Sequence, residues 1–237
     1  MITEKFYIGY SEMNKEFKLS NVGLMNLFQD IATIHGTKAN DSLKTHDSCW
    51  FITAYKVKIE KRPDYENFVN LSTWSRGIRG CLASREFEIK DENGNLMVSA
   101  LSNWIRINKH TQKIERITPE VVAAYTTEEH TNFGYEWLEK LQECEKVDAE
   151  YTFIADRNYV DVHKHVNNVA YLKYANLVMP DDIFEKPEPL EFEIMYRKAI
   201  QLGEKFKCLW TETENFYNVS FKSIDGSELY AIVRFYK

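Results

Sequence analysis

Hydrophobic residues follow two different periods along the chain, and each period appears twice. Between residues 51 and 59, Tyr55, Val57 and Ile59 alternate with Lys56, Lys58 and Glu60, the period-two pattern of a half-buried strand. Strand-like runs follow at 68–74 and 82–89. Asn93-Gly94 then marks a hairpin turn, and the strand beyond it reaches Ile107. Ahead of these strands Leu24, Phe28, Ile31 and His35 recur at helical spacing. They predict a helix over 21–37 with Ser20 as its N-cap. The chain ends as its first part does: a strand at 216–224, Asp225-Gly226 as the turn, and a last strand at 229–236.

The recurrence extends further back. Residues 10–25, YSEMNKEFKLSNVGLM, superpose without a gap on residues 157–172, RNYVDVHKHVNNVAYL, at an offset of 147. Leu19 meets Val166, Asn21 and Val22 meet Asn168 and Val169, and Met25 meets Leu172. In the second copy Val169, Leu172, Ala175 and Met179 keep helical spacing. Asn167 stands in the place of Ser20, and Pro180 is expected to stop the helix. By the two hairpin turns the offset has fallen to 132, so the second copy is 15 residues shorter, mostly through its helix. Each copy reads as an extended segment, a helix and a run of antiparallel strands. A long helix wrapped by such a sheet is the hotdog arrangement, an α+β fold. The expected organisation is therefore two tandem hotdog units forming a pseudo-dimer. Residues 1–110 form the first unit. Residues 111–150 form a linker with helical segments, among them YEWLEKLQECEK at 135–146. Residues 151–237 form the second unit.

Composition narrows the function. The net charge of −6 argues against a nucleic-acid binder. Fourteen Tyr, 14 Phe and 5 Trp suit broad sheets and large apolar walls. The four cysteines show no paired spacing and read as reduced thiols. With no signal segment at the N-terminus and no apolar run of membrane-spanning length, a cytoplasmic protein is expected.

Candidate chemistry is concentrated in DVHKHVNN, residues 161–168. Asp161, His163 and His165 alternate, so on an extended segment they would face one way. They precede a helix N-terminus, where free N–H groups favour negative charge. An imidazole moves protons near neutral pH, and a helix opening at Asn167 and Asn168 can hold a developing oxyanion. The set therefore suits acyl transfer to water. The first copy carries Asn14, Glu16 and Lys18 at these positions, so only one site is equipped. Asp-x-His-x-His could also ligate a metal, but no further ligand is evident and none is expected; no cofactor is expected either. Trp50, Trp74 and Trp104 are candidate walls of an acyl pocket. Lys56, Lys58, Lys61, Arg62, Arg76, Arg79 and Arg85 are either a docking face for an acidic partner or ordinary solvated strand faces.

These residues resemble a known family, the acyl-carrier-protein thioesterases of plants and bacteria. Its motif is close to R-x-D-L-D-x-N-x-H-V-N-N-x-x-Y, and this chain reads R-N-Y-V-D-V-H-K-H-V-N-N-V-A-Y. LFQDIATIHG, CWFITAYKVKIEKRPDYENFVNLSTW and GNLMVSALSNWIRIN resemble the family's first helix and N-terminal strands, so the likeness covers nearly the whole chain. The resemblance implies hydrolysis of fatty acyl-acyl-carrier protein to free fatty acid, with carrier protein bearing an acyl phosphopantetheine as partner and a homodimer as a possible assembly. It places Asp161 and His165 on the family's catalytic Asp and His, and His163 on its catalytic Asn. The family's Glu and the following Cys fall on Ala199 and Ile200, and Tyr159 replaces an acidic residue. Two other readings stay open: an acyl-CoA thioesterase of the hotdog superfamily, and a catalytically weak acyl-binding relative.

Overall fold

The computed structural model describes every residue except Leu43, Thr45 and Glu136. The chain divides into two compact units, Met1–Leu138 and Glu139–Lys237. Unit 1 contains β1 (Ile2–Tyr7), α1 (Asn21–Lys38), β2 (Ser48–Ile59), β3 (Phe68–Arg79), β4 (Leu82–Lys90), β5 (Leu96–Asn108), the short β6 (Ile114–Glu115) and α2 (Pro119–Tyr125). Its strands pair antiparallel in the order β1-β3-β4-β5-β2, with β6 on β5. Unit 2 contains β7 (Ala149–Ile154), α3 (Ala170–Leu177), α4 (Asp181–Phe184), β8 (Glu191–Tyr196), β9 (Lys205–Glu212), β10 (Phe216–Ser223) and β11 (Leu229–Tyr236). Its order, β7-β9-β10-β11-β8, is the same plan.

Helix α1 forms where the apolar spacing predicts it. Ser20 caps it, its Oγ accepting from Gly23 N at 2.9 Å. Leu24, Phe28 and Ile31 are wholly buried on the side facing the sheet, and Phe28 packs on Phe87 of β4 at 4.7 Å between ring centroids. The helix also presses on the 3-10 turn before it: a Cβ at Gly23 would lie 2.4 Å from the Glu12 carbonyl oxygen. In unit 2 that position is Ala170. A side chain there removes the same close approach. The chain enters α3 through a tighter turn, Ala170 N donating to Asn167 O at 2.8 Å. The second helix is therefore shorter than its apolar spacing predicts at both ends. It starts at Ala170 and ends at Leu177, so Met179 lies beyond it and Pro180 opens α4 instead.

The segment after β5 begins by packing on unit 1. Glu86 of β4 is fully buried and accepts from Thr131 Oγ1 (2.6 Å) and Asn132 N (2.8 Å), while the Arg76 guanidinium lies 3.1 Å away. The stretch expected to form a helix at 135–146 has none among its described residues, and Glu136 lies outside them. Its amphipathic period serves a different purpose. Leu141 packs against Met195 and Ile232. The carbonyls of Gln142 and Lys146 accept from Arg234 and Thr211 of the unit 2 sheet, at 2.8 Å each, and so are lost to helical bonds.

The packing at Gly23 gives a direct test. Alanine would add about 1 kcal/mol of helix propensity. Displacing backbone from a 2.4 Å contact should outweigh it. We expect Gly23→Ala to lose about 1–3 kcal/mol of stability in urea unfolding, in the range of other overpacked sites. A stabilised variant would show that the turn and the helix are not in fixed contact.

Candidate active site

Two loops, one in each unit, are built by the same set of hydrogen bonds. In unit 1 Asn14 Oδ1 accepts from Glu16 N at 3.0 Å and Lys18 N at 3.1 Å. In unit 2 Asp161 Oδ1 accepts from His163 N at 2.8 Å and His165 N at 3.3 Å. The backbone of each hub residue closes the ring: Asn14 N donates to Lys18 O, and Asp161 N to His165 O. The residue opposite takes a positive φ in both, 57° at Phe17 and 62° at Lys164. The motif is thus a tight turn about one side-chain oxygen, and the extended segment expected from the alternation does not occur. His163 and His165 still lie together, their ring centroids 6.5 Å apart and the rings 34° from parallel.

The likeness continues on the strand that faces the turn. Leu19 N donates to Pro63 O and Val166 N to Ile200 O. Lys18 bridges to Asp64 and His165 to Gln201. Position 62 of unit 1 therefore matches position 199 of unit 2. In unit 1 a buried Arg62 fills this place, donating to Leu19 O at 2.9 Å and to Asn21 Oδ1 at 2.8 Å. The matching groups in unit 2 are the carbonyl of Val166 and the side chain of Asn168. Ala199 carries one carbon where Arg62 carries a long cation, so no side chain from this position bonds Val166 O or Asn168.

The helix opening needs one correction. Asn167 N donates to Tyr159 O at 2.8 Å and so is already taken. Asn167 Oδ1 accepts from Val169 N at 2.9 Å, so its side chain caps the entry turn and not the first helical residue itself. Among the described residues no hydrogen bond occupies the N–H of Asn168. It is the donor available to an oxyanion. Tyr196 Oη donates to Asn168 O at 2.9 Å and holds that residue in place.

Sequence reasoning missed the supports behind the turn. Glu204 accepts from Gln201 N at 2.8 Å and from Tyr230 Oη, fixing the strand that pairs with His165. Tyr171 Oη accepts from Ile200 N at 3.4 Å. Comparing KRPDYEN (61–67) with KAIQLGE (198–204) was the available signal, since it sets Glu66 (φ 65°) on Gly203 (φ 79°).

The three tryptophans all have tethered indoles. Trp50 Nε1 donates to Asp41 Oδ2 at 2.7 Å, Trp74 Nε1 to His130 O at 2.9 Å, and Trp104 Nε1 to Ser102 Oγ at 2.7 Å. Trp74 is wholly buried and holds the connecting segment, whereas Trp104 meets Tyr55 edge-on at 6.4 Å. Of the basic residues considered for a docking face, Arg62 is buried and Arg76 pairs with buried Glu86. Arg85 bonds His35 and Thr73, so these three belong to the interior. Among the described residues no group of three or more His, Cys, Asp or Glu is placed to hold a metal.

Two helix-and-sheet units on one plan, one with Asp161, His163 and His165 on its turn and the other without them, define a tandem hotdog protein. Comparison with known proteins agrees. The model of the acyl-ACP thioesterase N-terminal domain matches residues 1–125, and that of the C-terminal domain matches residues 142–232. The chain belongs to the acyl-ACP thioesterase family. It is 25% identical over 232 residues to the chloroplastic oleoyl-acyl carrier protein thioesterase 2 of Arabidopsis thaliana, covering 90% of this chain and 63% of that protein. It is 23% identical to the dodecanoyl-[acyl-carrier-protein] hydrolase of Cinnamomum camphora, covering 87% and 58%. The chain thus spans roughly half to two thirds of the length of such relatives. Its fold matches an acyl-ACP thioesterase of Bacteroides thetaiotaomicron (TM-score 0.85, 20% identity, 99% and 97% coverage) and the 12:0-ACP thioesterase of Umbellularia californica (TM-score 0.83, 20% identity, 100% and 96%).

The hub oxygen separates structure from charge at position 161. Asp161→Asn should leave the turn intact, because Asn14 already performs the same task in unit 1. Asp161→Ala removes the acceptor of two N–H groups, at a cost of about 1–3 kcal/mol each if they stay buried. Hydrogen exchange at the amides of His163 and His165 should therefore quicken in Asp161→Ala and stay near wild type in Asp161→Asn. Equal exchange in both would show that the hub does not hold the loop.

Proposed function

We propose that this protein hydrolyses fatty acyl-acyl-carrier protein to free fatty acid and carrier protein. One observation carries the reading: the turn scaffold is duplicated, but the Asp161, His163 and His165 set stands on it only in unit 2, beside an open backbone N–H. Water attacks the thioester carbonyl and gives its proton to an imidazole of the His163/His165 pair. The oxyanion that forms is met by the N–H of Asn168. Collapse expels the phosphopantetheine thiol, which takes the proton back from the imidazolium. Asp161 spends one oxygen on the turn. Its other oxygen and its charge remain to orient an imidazole and stabilise its cation.

The family's Asn position holds His163 and its Glu position holds Ala199. We read the two exchanges as linked: an imidazole on the turn supplies the proton acceptor that a carboxylate at 199 would have supplied from the facing strand. The relatives' substrates support a carrier-protein thioester over other thioesters. The four cysteines are free thiols, which supports a reducing compartment such as the cytoplasm. No helix among the described residues is long and apolar enough to cross a membrane.

The reading is tested with acyl-carrier-protein substrates from short to long chains, alongside the matching acyl-CoA series. Carrier-protein substrates should turn over faster. Asp161→Asn and His165→Ala should each lose about two to four orders of magnitude in kcat while folding normally, as general acid–base groups do. Near-wild-type rates in both variants would refute the site.

The linked exchange is tested separately. His163→Asn should be severely slowed, and Ala199→Glu placed in that background should recover a large part of the rate. A wild-type rate indifferent to His163→Asn would remove the link between the two positions.

A further inference from the structure

A half-buried cation without a carboxylate lies in unit 1, on the face of the sheet covered by α1. Arg85 of β4, Ser102 of β5 and Tyr55 of β2 are direct neighbours across three strands, so their side chains project from one rung of the sheet. The outer two are long and the middle one is small. Arg85 Nη1 donates to His35 Nδ1 at 2.8 Å and to Thr73 Oγ1 at 3.0 Å. Burial, with the Arg85 charge beside it, pushes His35 down to about 3, so this partner is a neutral imidazole, and the guanidinium charge faces the Tyr125 ring, 5.6 Å from its centroid. Among the described residues no carboxylate pairs with Arg85 and no hydrogen bond reaches its other N–H groups. Asp41, which Tyr125 joins to the same neighbourhood, is already taken. Arg106 holds it through both guanidinium nitrogens, at 2.7 and 3.1 Å, and Trp50 and Tyr125 donate to it as well.

Tyr55 has the same deficit. The residue is 1% exposed, and its buried hydroxyl has no hydrogen-bond partner among the described residues. An orphan phenol of this kind costs about 1–3 kcal/mol. Between the two orphans stands Ser102, whose own hydroxyl is spent accepting from Trp104 Nε1 and donating to Arg85 O. Unit 2 shows how the same rung is closed when nothing is to be bound. Its members are Tyr217, Phe235 and Phe192, and the central place is filled by a phenylalanine. The walls around the rung in unit 1 are apolar: Phe28, Phe87 and Trp104 ring Tyr55 at centroid distances of 5.9 to 6.4 Å, and Ala100 extends the small floor along β5.

We propose that unit 1 binds a carboxylate carried on an aliphatic chain, the carboxylate received by the Arg85 guanidinium and the Tyr55 hydroxyl over Ser102, and the chain packed along the aromatic walls. The planar fork of a guanidinium matches a carboxylate, and one cation with one phenol balances a single negative charge. Two sources share this chemistry: a free fatty acid, and the far end of an acyl thioester that terminates in a carboxylate.

The experiment titrates dodecanoate, methyl dodecanoate and dodecanol into the intact protein by calorimetry near pH 8, below the micelle threshold. Dodecanoate should bind about tenfold or more tightly than either neutral analogue, the scale of a hydrogen bond to a charged group. Tyr55→Phe, which removes one oxygen from a packed ring, should reduce that preference severalfold, and Arg85→Met should abolish it. A second arm, resting on the proposed hydrolysis, compares kcat/KM for carrier-protein thioesters whose chains end in a carboxylate or a methyl group. Preference for the carboxylate end identifies the substrate as the source; binding of dodecanoate without that preference identifies the free acid. The binding arm needs no turnover, so failure of the hydrolytic reading leaves it interpretable. Equal affinity for acid and ester, or a preference that survives both substitutions in folded protein, overturns the proposal.

Discussion

Everything at the candidate active site hangs on one oxygen atom. Asp161 Oδ1 gathers the N–H groups of His163 and His165, and with the bond from Asp161 N to His165 O it fixes a turn with Lys164 in a left-handed conformation. The same turn sets the register of Val166 against Ile200, and hence which residue of the facing strand meets the start of α3. A backbone held at φ near +60° away from glycine needs such compensation, because its cost is of order 1 kcal/mol or more. Unit 1 shows that the turn needs only the oxygen, since Asn14 supplies it without charge. The negative charge at 161 is therefore an addition to the scaffold, and its second oxygen is available for chemistry.

The same comparison explains the contrast between Arg62 and Ala199. An arginine buried against a helix start satisfies a carbonyl and an asparagine oxygen at once, and it plugs the space they share. This is a stabilising use of the position, and it closes it to any substrate. The second unit gives up the plug. With alanine at 199 the Asn168 N–H has no partner among the described residues, which is a cost to folding and a condition for binding. The two copies of one loop have thus taken opposite sides of the same exchange.

How much of this the sequence carried depends on the range of the interaction. Helix α1, its Ser20 cap, the hairpin turns and the strand runs are set by neighbours within a few residues, and periodicity exposes them. The 147-residue offset exposed the duplicated plan, and with it the equipped and unequipped turns. Alternation, however, cannot tell a strand from a turn whose side chain bonds its own backbone, so Asp161, His163 and His165 were placed on the wrong local geometry while their grouping was correct. The 135–146 stretch failed for a related reason. Its amphipathic period is real, but its carbonyls find sheet donors from Arg234 and Thr211, far away in sequence, and tertiary bonds win over local helix propensity. Asn167 was recognised as a cap, yet only the structure shows that its N–H is already taken and that the open one belongs to Asn168.

Polarity inside unit 1 belongs to the same account. Arg85 counted among basic strand residues because a lysine-and-arginine tally has no depth. Its role depends on which face of β4 meets α1, and that is decided by the pairing of four strands. Once the rung is assigned, bland packing becomes the harder explanation. A core built only for stability would fill the Ser102 position with a large side chain, as unit 2 does with Phe235, and would not set a guanidinium and an unpartnered phenol on either side of a serine. Natural proteins depart from full polar satisfaction mainly where a ligand completes it. Two such departures among the described residues are the open N–H of Asn168 in unit 2 and the buried Tyr55 hydroxyl, beside the free donors of Arg85, in unit 1. The first awaits an oxyanion for as long as a tetrahedral intermediate lasts. The second centres on a phenol held in the core, which suits a group that binds without reacting.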